Sequence, residues 1–160
     1  MHRIYLQCIQ PVLDYAISIW GHCNESYKGL IVRIQHRAAR IVSNEFDYIN
    51  VRGEELMNQL RWQTLDQRRD YFTATLMFKC LNNDMAPAHL RNEVSLSSEI
   101  HDVQTRFALN HNVAIPKPNI EIYKKSFKYH GSLIWNALPS ELKHAGDLRE
   151  FKGLYKRMYF

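Results

Sequence analysis

Two groups of cations offer the chemistry most open to this chain. Arg33, Arg37 and Arg40 recur at i, i+4 and i+7, the spacing of one helix face. No Asp or Glu lies between Lys28 and Arg40. Solvated helix faces usually alternate sign to gain i,i+4 pairs, so an acid-free row suits phosphate oxygens, and a plain solvated face is the alternative. Lys124, Lys125 and Lys128 form the second group, at the expected start of a helix. There the positive end of the macrodipole disfavours each cation by about 0.3–1 kcal/mol. A bound phosphate reverses that sign. The bland alternative is Ser126 as N-cap, with lysines exposed before it. The expected nucleic-acid-binding residues are therefore Arg33, Arg37, Arg40, Lys124, Lys125 and Lys128.

Catalytic arrangements are weaker. Ser126, His130 and Asp147 supply the side-chain types of a triad, but no nucleophile elbow or Gly-rich oxyanion turn accompanies them. His101-Asp102 is an isolated pair, and Glu54-Glu55 lies in a helical pattern that points its members two ways. No histidines or cysteines recur at metal-ligand spacing, and no Gly-rich phosphate loop exists. The expectation is no catalytic residue, no metal and no cofactor. A small hydrolase using His130 or His101 is a third, weaker alternative. Arg106, between Thr105 and Phe107, reads as a buried hydrogen-bonding Arg more readily than as a phosphate contact.

Composition frames these residues. The chain has 160 residues, 46% hydrophobic, enough for one domain or two small modules. Its formal charge of +5 is compatible with phosphate partners but shared by many ordinary proteins. Three widely spaced cysteines, Cys8, Cys23 and Cys80, argue against disulfides and for an intracellular protein, nuclear or cytoplasmic. Gln7, Gln10, Pro11 and Asp14 interrupt the apolar N-terminal run, so neither a signal peptide nor a membrane span is expected.

The elements that must position the cations read as mainly α. Ile4, Cys8, Val12, Ala16 and Trp20, with Ile9, Leu13 and Ile17 beside them, form one helical stripe, with a kink or a start at Pro11 and a stop at Gly21. A second helix is expected over residues 26–42, with Leu30, Ile34, Ala38 and Ile41 inward. Thr64 and Gln67 form a capping box for a helix to about Leu81 that buries Phe72, Leu76, the stem of Lys79 and Cys80. Val103–Leu109 and Val113–Ile115 read as short extended arms or one hairpin, turned by Asn110-His111-Asn112. Phe127, Gly131, Ile134 and Leu138 form the inner stripe of a later helix, with Trp135 to one side and a stop before Pro139. Gly131 would let another backbone approach closely. Asp147 caps a last helix, with Leu148, Phe151, Leu154, Tyr155 and Met158 inward. The fold class is thus a helical, bundle-like arrangement with one extended segment near residues 103–115. Its division is a helical pair over 1–45 and a helical domain over 46–160.

The blocks PVLDYAISIWG, IQHRAARIV, LRWQTLDQRRDY, MFKCLNN, QTRFAL, KKSFKYHGSLIWNALPSELK and LREFKGLYKRM follow one another in this order. The ordered series resembles the C-terminal part of reverse transcriptases of non-LTR (LINE-type) retrotransposons, over almost the whole chain. The block with SFKYHG before WNALP is the most specific. The resemblance implies a non-catalytic piece of an RNA-directed DNA polymerase: thumb over residues 1–45, then the helical segment that follows. The metal-binding palm aspartates of that family are not among the matched blocks. Nor is the cysteine-histidine knuckle of some relatives, and Gln104 stands where an asparagine is common. A start at Met1 inside the polymerase implies a truncated copy or partial gene model. Implied partners are RNA, DNA or an RNA–DNA duplex through phosphates, and the upstream polymerase domain; no membrane is implied. A structural or protein-interaction module without nucleic-acid binding is the alternative.

Overall fold

Proline at position 11 sets the course of the first segment. In the computed structural model, which describes residues 2–82, 86–100 and 110–160, α1 (His2–Ile4) passes into one π-helical turn, Tyr5–Ile9, and then α2 (Gln10–Asp14). Pro11 has no N–H, and its ring crowds the carbonyl four residues back. A widened turn ahead of it relieves both problems. Ala16 then adopts a left-handed conformation, φ 52°, and ends the run before α3 (Ile17–Trp20). Of the two expectations for Pro11, the start of a helix fits, since it stands within the first two residues of α2; the expected stripe is not the buried face. Tyr5 and Ile17 are buried, while Ile4, Cys8, Val12 and Ala16 are exposed. The π turn and the break at Ala16 rotate the face that a uniform helix would have presented.

The chain is mainly helical, as the periodicity predicts. It divides into two compact units, Met1–Arg69 and Asp70–Phe160. In the first, Asn24 caps α4 (Glu25–Ser43) by accepting the Ser26 amide, and Asn44 closes it in the left-handed conformation. α5 (Gly53–Gln59) lies against it. Gly53 is required there: a Cβ would stand 2.4 Å from His36 Cγ. Ala39, Leu56, Met57, Trp62 and Tyr5 form the core, with the Tyr5 and Trp62 rings stacked 3.8 Å apart. Arg68 grips both carboxylate oxygens of Asp14. This unit reaches beyond the expected division at residue 45, because Ala39 shares a core with Leu56 and Met57.

Thr64 and Gln67 make the expected reciprocal box, at 2.9 and 3.2 Å, and open α6 (Leu65–Asn82). Its first residues belong to the first unit and the rest to the second. Within the second unit Tyr71, Thr73, Ala74, Thr75, Met77, Phe78 and Cys80 are buried, which is more than one face. The short turns α7 (Ala88–Arg91) and α8 (Ser97–Ile100) follow. Ser126 then caps α9 (Phe127–Ala137), α10 (Ser140–Lys143) follows Pro139, and Asp147 caps α11 (Leu148–Tyr159).

The core of this unit gathers Met77, Phe78, Trp135, Leu138, Leu142, Phe151 and Tyr155. Trp135 is 1% exposed, at the core centre and not to one side. The buried arc of α9 is Gly131, Ser132 and Trp135, turned slightly from the predicted stripe, and Phe127 and Ile134 are half-buried. What approaches Gly131 is a side chain and not the expected backbone: a Cβ there would lie 2.8 Å from Met77 Sδ.

Among the described residues one extended stretch pairs with a neighbour. Val113 forms an antiparallel bridge with Leu96, through Ser97 N–H to Asn112 O at 2.8 Å and Ala114 N–H to Ser95 O at 3.0 Å. The other expected arm, 103–109, lies outside the described residues. Several side chains hold this stretch. Trp135 Nε1 donates to His111 O at 2.8 Å. Asn136 Oδ1 accepts from Val113 N–H at 2.8 Å, and its Nδ2 donates to Val113 O at 2.9 Å. Lys143 Nζ donates to Asn112 Oδ1 at 2.7 Å and Asn136 O at 3.0 Å.

Candidate nucleic-acid interface

The three arginines of α4 do not form one exposed row. Arg40 is only 6% exposed. Its guanidinium donates to Asp47 O at 3.0 Å and Val51 O at 2.6 Å, and sits 4.3 Å over the Tyr48 ring. It is therefore a tie between the helix and the 44–52 connection. A planar group with five donors suits that task, because those carbonyls have no strand or helix partner to satisfy them. Arg33 and Arg37 are exposed.

Of the residues predicted inward, Ala38 packs against the core, but Leu30, Ile34 and Ile41 do not. Leu30 (53%), Ile34 (47%) and Ile41 (52%) point outward, while Gln35, Ala39 and Arg40 are buried. Gln35 Nε2 donates to Tyr5 Oη at 3.2 Å, and Ala39 is small enough for close helix packing. The outward surface of α4 thus mixes two free-standing arginines with large aliphatic side chains.

The lysine group is also different from the expected one. Ser126 accepts the Tyr129 amide at 3.3 Å, so the N-cap reading of this residue holds. Lys124 and Lys125 lie in a 3₁₀ turn before the cap. Lys124 pairs with Glu121, whose hydrogen bond and charge raise its pKa. Lys128 approaches Glu93 at 3.8 Å. Only Lys125 of the three is exposed without a described carboxylate partner. These acids lie 3 and 35 residues from their lysines in sequence, and the second is invisible to any local window.

The candidate triad residues have other uses. Ser126 and Asp147 are the caps of two different helices. Glu54 and Glu55 are exposed in the first turn of α5. His101, Asp102, Gln104 and Arg106 lie outside the described residues. Among the described residues, no three His, Cys, Asp or Glu side chains are placed to hold a metal ion, and no helix is long and apolar enough to cross a membrane. A cavity of about 370 Å³ in the first unit is lined by Gln35, His36, Glu54, Asn58 and Asp66 among others, and burial lowers the His36 pKa there.

Lys143 is the residue that sequence reasoning missed. It is 2% exposed, bonded only to neutral oxygens, and burial lowers its pKa. A lysine four residues after Pro139, on a one-turn helix, carries no local sign of burial. No protein-family model, no curated protein and no solved structure matches this chain.

Proposed function

We propose that this chain is a non-catalytic C-terminal piece of a non-LTR retrotransposon reverse transcriptase, which supports the polymerase and contacts the nucleic-acid backbone. The observation that carries it is the outward face of α4, where exposed Arg33 and Arg37 alternate with exposed Leu30, Ile34 and Ile41. Aliphatic side chains in such a row favour coverage by another macromolecule. The arginines between them favour phosphate oxygens along its edge. The ordered sequence blocks supply the parentage. The contacting set is Arg33, Arg37 and Lys125; Arg40 is structural, and Lys124 and Lys128 contribute less because acids already pair with them.

The test is binding of the purified chain to a labelled RNA–DNA duplex across salt concentrations. Arg33→Ala with Arg37→Ala should weaken binding and lower the log–log salt slope by about 0.9 per lost contact. Equal affinity and slope in a variant that still folds would sink the nucleic-acid part. The second reading, a module that only docks on protein, would then stand, favoured by the exposed Ile4, Val12, Tyr15 and Ile19.

A further inference from the structure

Among the described residues, α11 of the second unit carries a row of cations without carboxylate partners, of which Lys156 also sits 5.9 Å over the Tyr71 ring. Arg149, Lys152 and Lys156 recur at i, i+3 and i+7, with Gly153 between them, and with Leu148 they line one shallow depression. Helix rise spreads the three cations over about 10 Å, the length of roughly three nucleotides along one strand. None of the three has a carboxylate partner among the described residues. The acids nearest in sequence are committed to the cap: Asp147 Oδ1 accepts from Glu150 N–H, and Glu150 Oε2 from Gly146 N–H, both at 2.7 Å.

Two features of this row are unfavourable for a bare helix. Arg149 stands in the first turn, where the macrodipole opposes a cation. Gly153 is a weak helix former at an exposed mid-helix position, and a Cβ built there meets nothing within 4 Å, so no packing demands it. Both features become favourable if an anionic backbone lies along the helix. It would offset the charge at Arg149 and come close over the glycine. The opposite face is fixed by Phe151 and Tyr155 in the core, so the row is presented on a rigid element.

We propose that Arg149, Lys152 and Lys156 form a second binding row for a nucleic-acid phosphate backbone, with the strand passing over Gly153. The row lies on a different unit from the α4 face and does not depend on it.

The experiment uses the full 160-residue chain and fluorescence anisotropy with a labelled RNA–DNA duplex. Replacing Arg149, Lys152 and Lys156 together by Gln should weaken binding by on the order of tenfold or more at moderate salt and lower the log–log slope by about 2–3. A charge-neutral variant, Gly153→Leu, should also weaken binding by filling the depression, with the thermal transition retained. Unaltered affinity and slope in the folded triple variant would overturn the proposal. So would no binding by the wild-type chain at about 50 mM salt, or binding to phosphatidylserine vesicles without binding to the duplex. If the triple variant loses affinity while Arg33→Ala with Arg37→Ala does not, this row stands and the α4 contact fails; the reverse result separates them the other way.

Discussion

Asn136 occupies both backbone hydrogen-bonding groups of Val113, accepting from its N–H and donating to its C=O, across 23 residues of chain. The side-chain amide does here what a neighbouring strand would do on that edge. Val113 is fully buried, so neither group has water as a substitute. Asn136→Ala should therefore destabilise the second unit by about 2–4 kcal/mol, the cost of two lost bonds with both backbone groups left buried. Urea unfolding measures it. A loss below about 0.5 kcal/mol, the range of an ordinary surface change, would mean that the clasp is not formed in solution.

Trp135, next to it, fills the centre of the same core and donates to His111 O. Trp135→Ala should cost about 3–5 kcal/mol. With Trp20 and Trp62 replaced by Phe, native emission from Trp135 should be blue-shifted. Emission at the fully exposed limit would contradict its burial.

The α4 arginines should separate by role. Arg40→Ala should lower stability by about 1–3 kcal/mol, since the buried guanidinium's charged bonds to the Asp47 and Val51 carbonyls are lost. Arg33→Ala and Arg37→Ala should each leave stability within about 0.5 kcal/mol. Chemical denaturation of the three variants side by side decides this; equal effects would remove the distinction.

Two helical glycines should respond to alanine with opposite sign. Gly131→Ala pushes a methyl into Met77, which is itself fully buried, and should cost about 1–3 kcal/mol. Gly153→Ala meets open space and should gain about 0.5–1 kcal/mol from helix propensity. Thermal melts that move both variants in the same direction would refute the geometry at one of the two sites.

Lys143 gives a pH dependence with a defined sign. Its folded pKa lies below the ordinary lysine value of 10.5 because burial disfavours the charge. Below the folded pKa both states are protonated, and the folded state bears the full burial penalty. Between the folded value and 10.5 the unfolded chain holds more protons, so stability rises with pH. Wild type should gain on Lys143→Met as pH increases toward 10.5. Tyr155, whose pKa burial raises, acts in both proteins and cancels in the comparison. A gap that does not change between neutral pH and that limit would exclude a depressed Lys143.

Local chemistry was the legible part of this chain. The Thr64–Gln67 box needs two side chains three residues apart, and the Asp147 cap needs only one, accepting the Glu150 backbone amide; both are local features and both form. The α4 face was not legible, because apolar periodicity finds the greasier stripe without knowing which side meets a neighbour. Leu30, Ile34 and Ile41 win that comparison, yet Gln35 and Ala39 are the residues with partners in Tyr5 and Leu56. The first segment failed differently: Pro11 marks a kink or a start in the sequence, but the left-handed Ala16 leaves no mark there. At the candidate site, exposure separated Arg33 and Arg37 from Arg40, and that depends on where the 44–52 connection folds back. On α11, neither the row of Arg149, Lys152 and Lys156 nor the open space over Gly153 was legible before the fold showed which face the core leaves free.

The seam between Arg69 and Asp70 falls inside an unbroken helix. Dissecting the polypeptide there would strip Thr64 and Gln67 from the C-terminal piece and leave its leading amides raw. A truncation intended to yield that half should begin no later than Gln63, so that the turn which nucleates the helix travels with it.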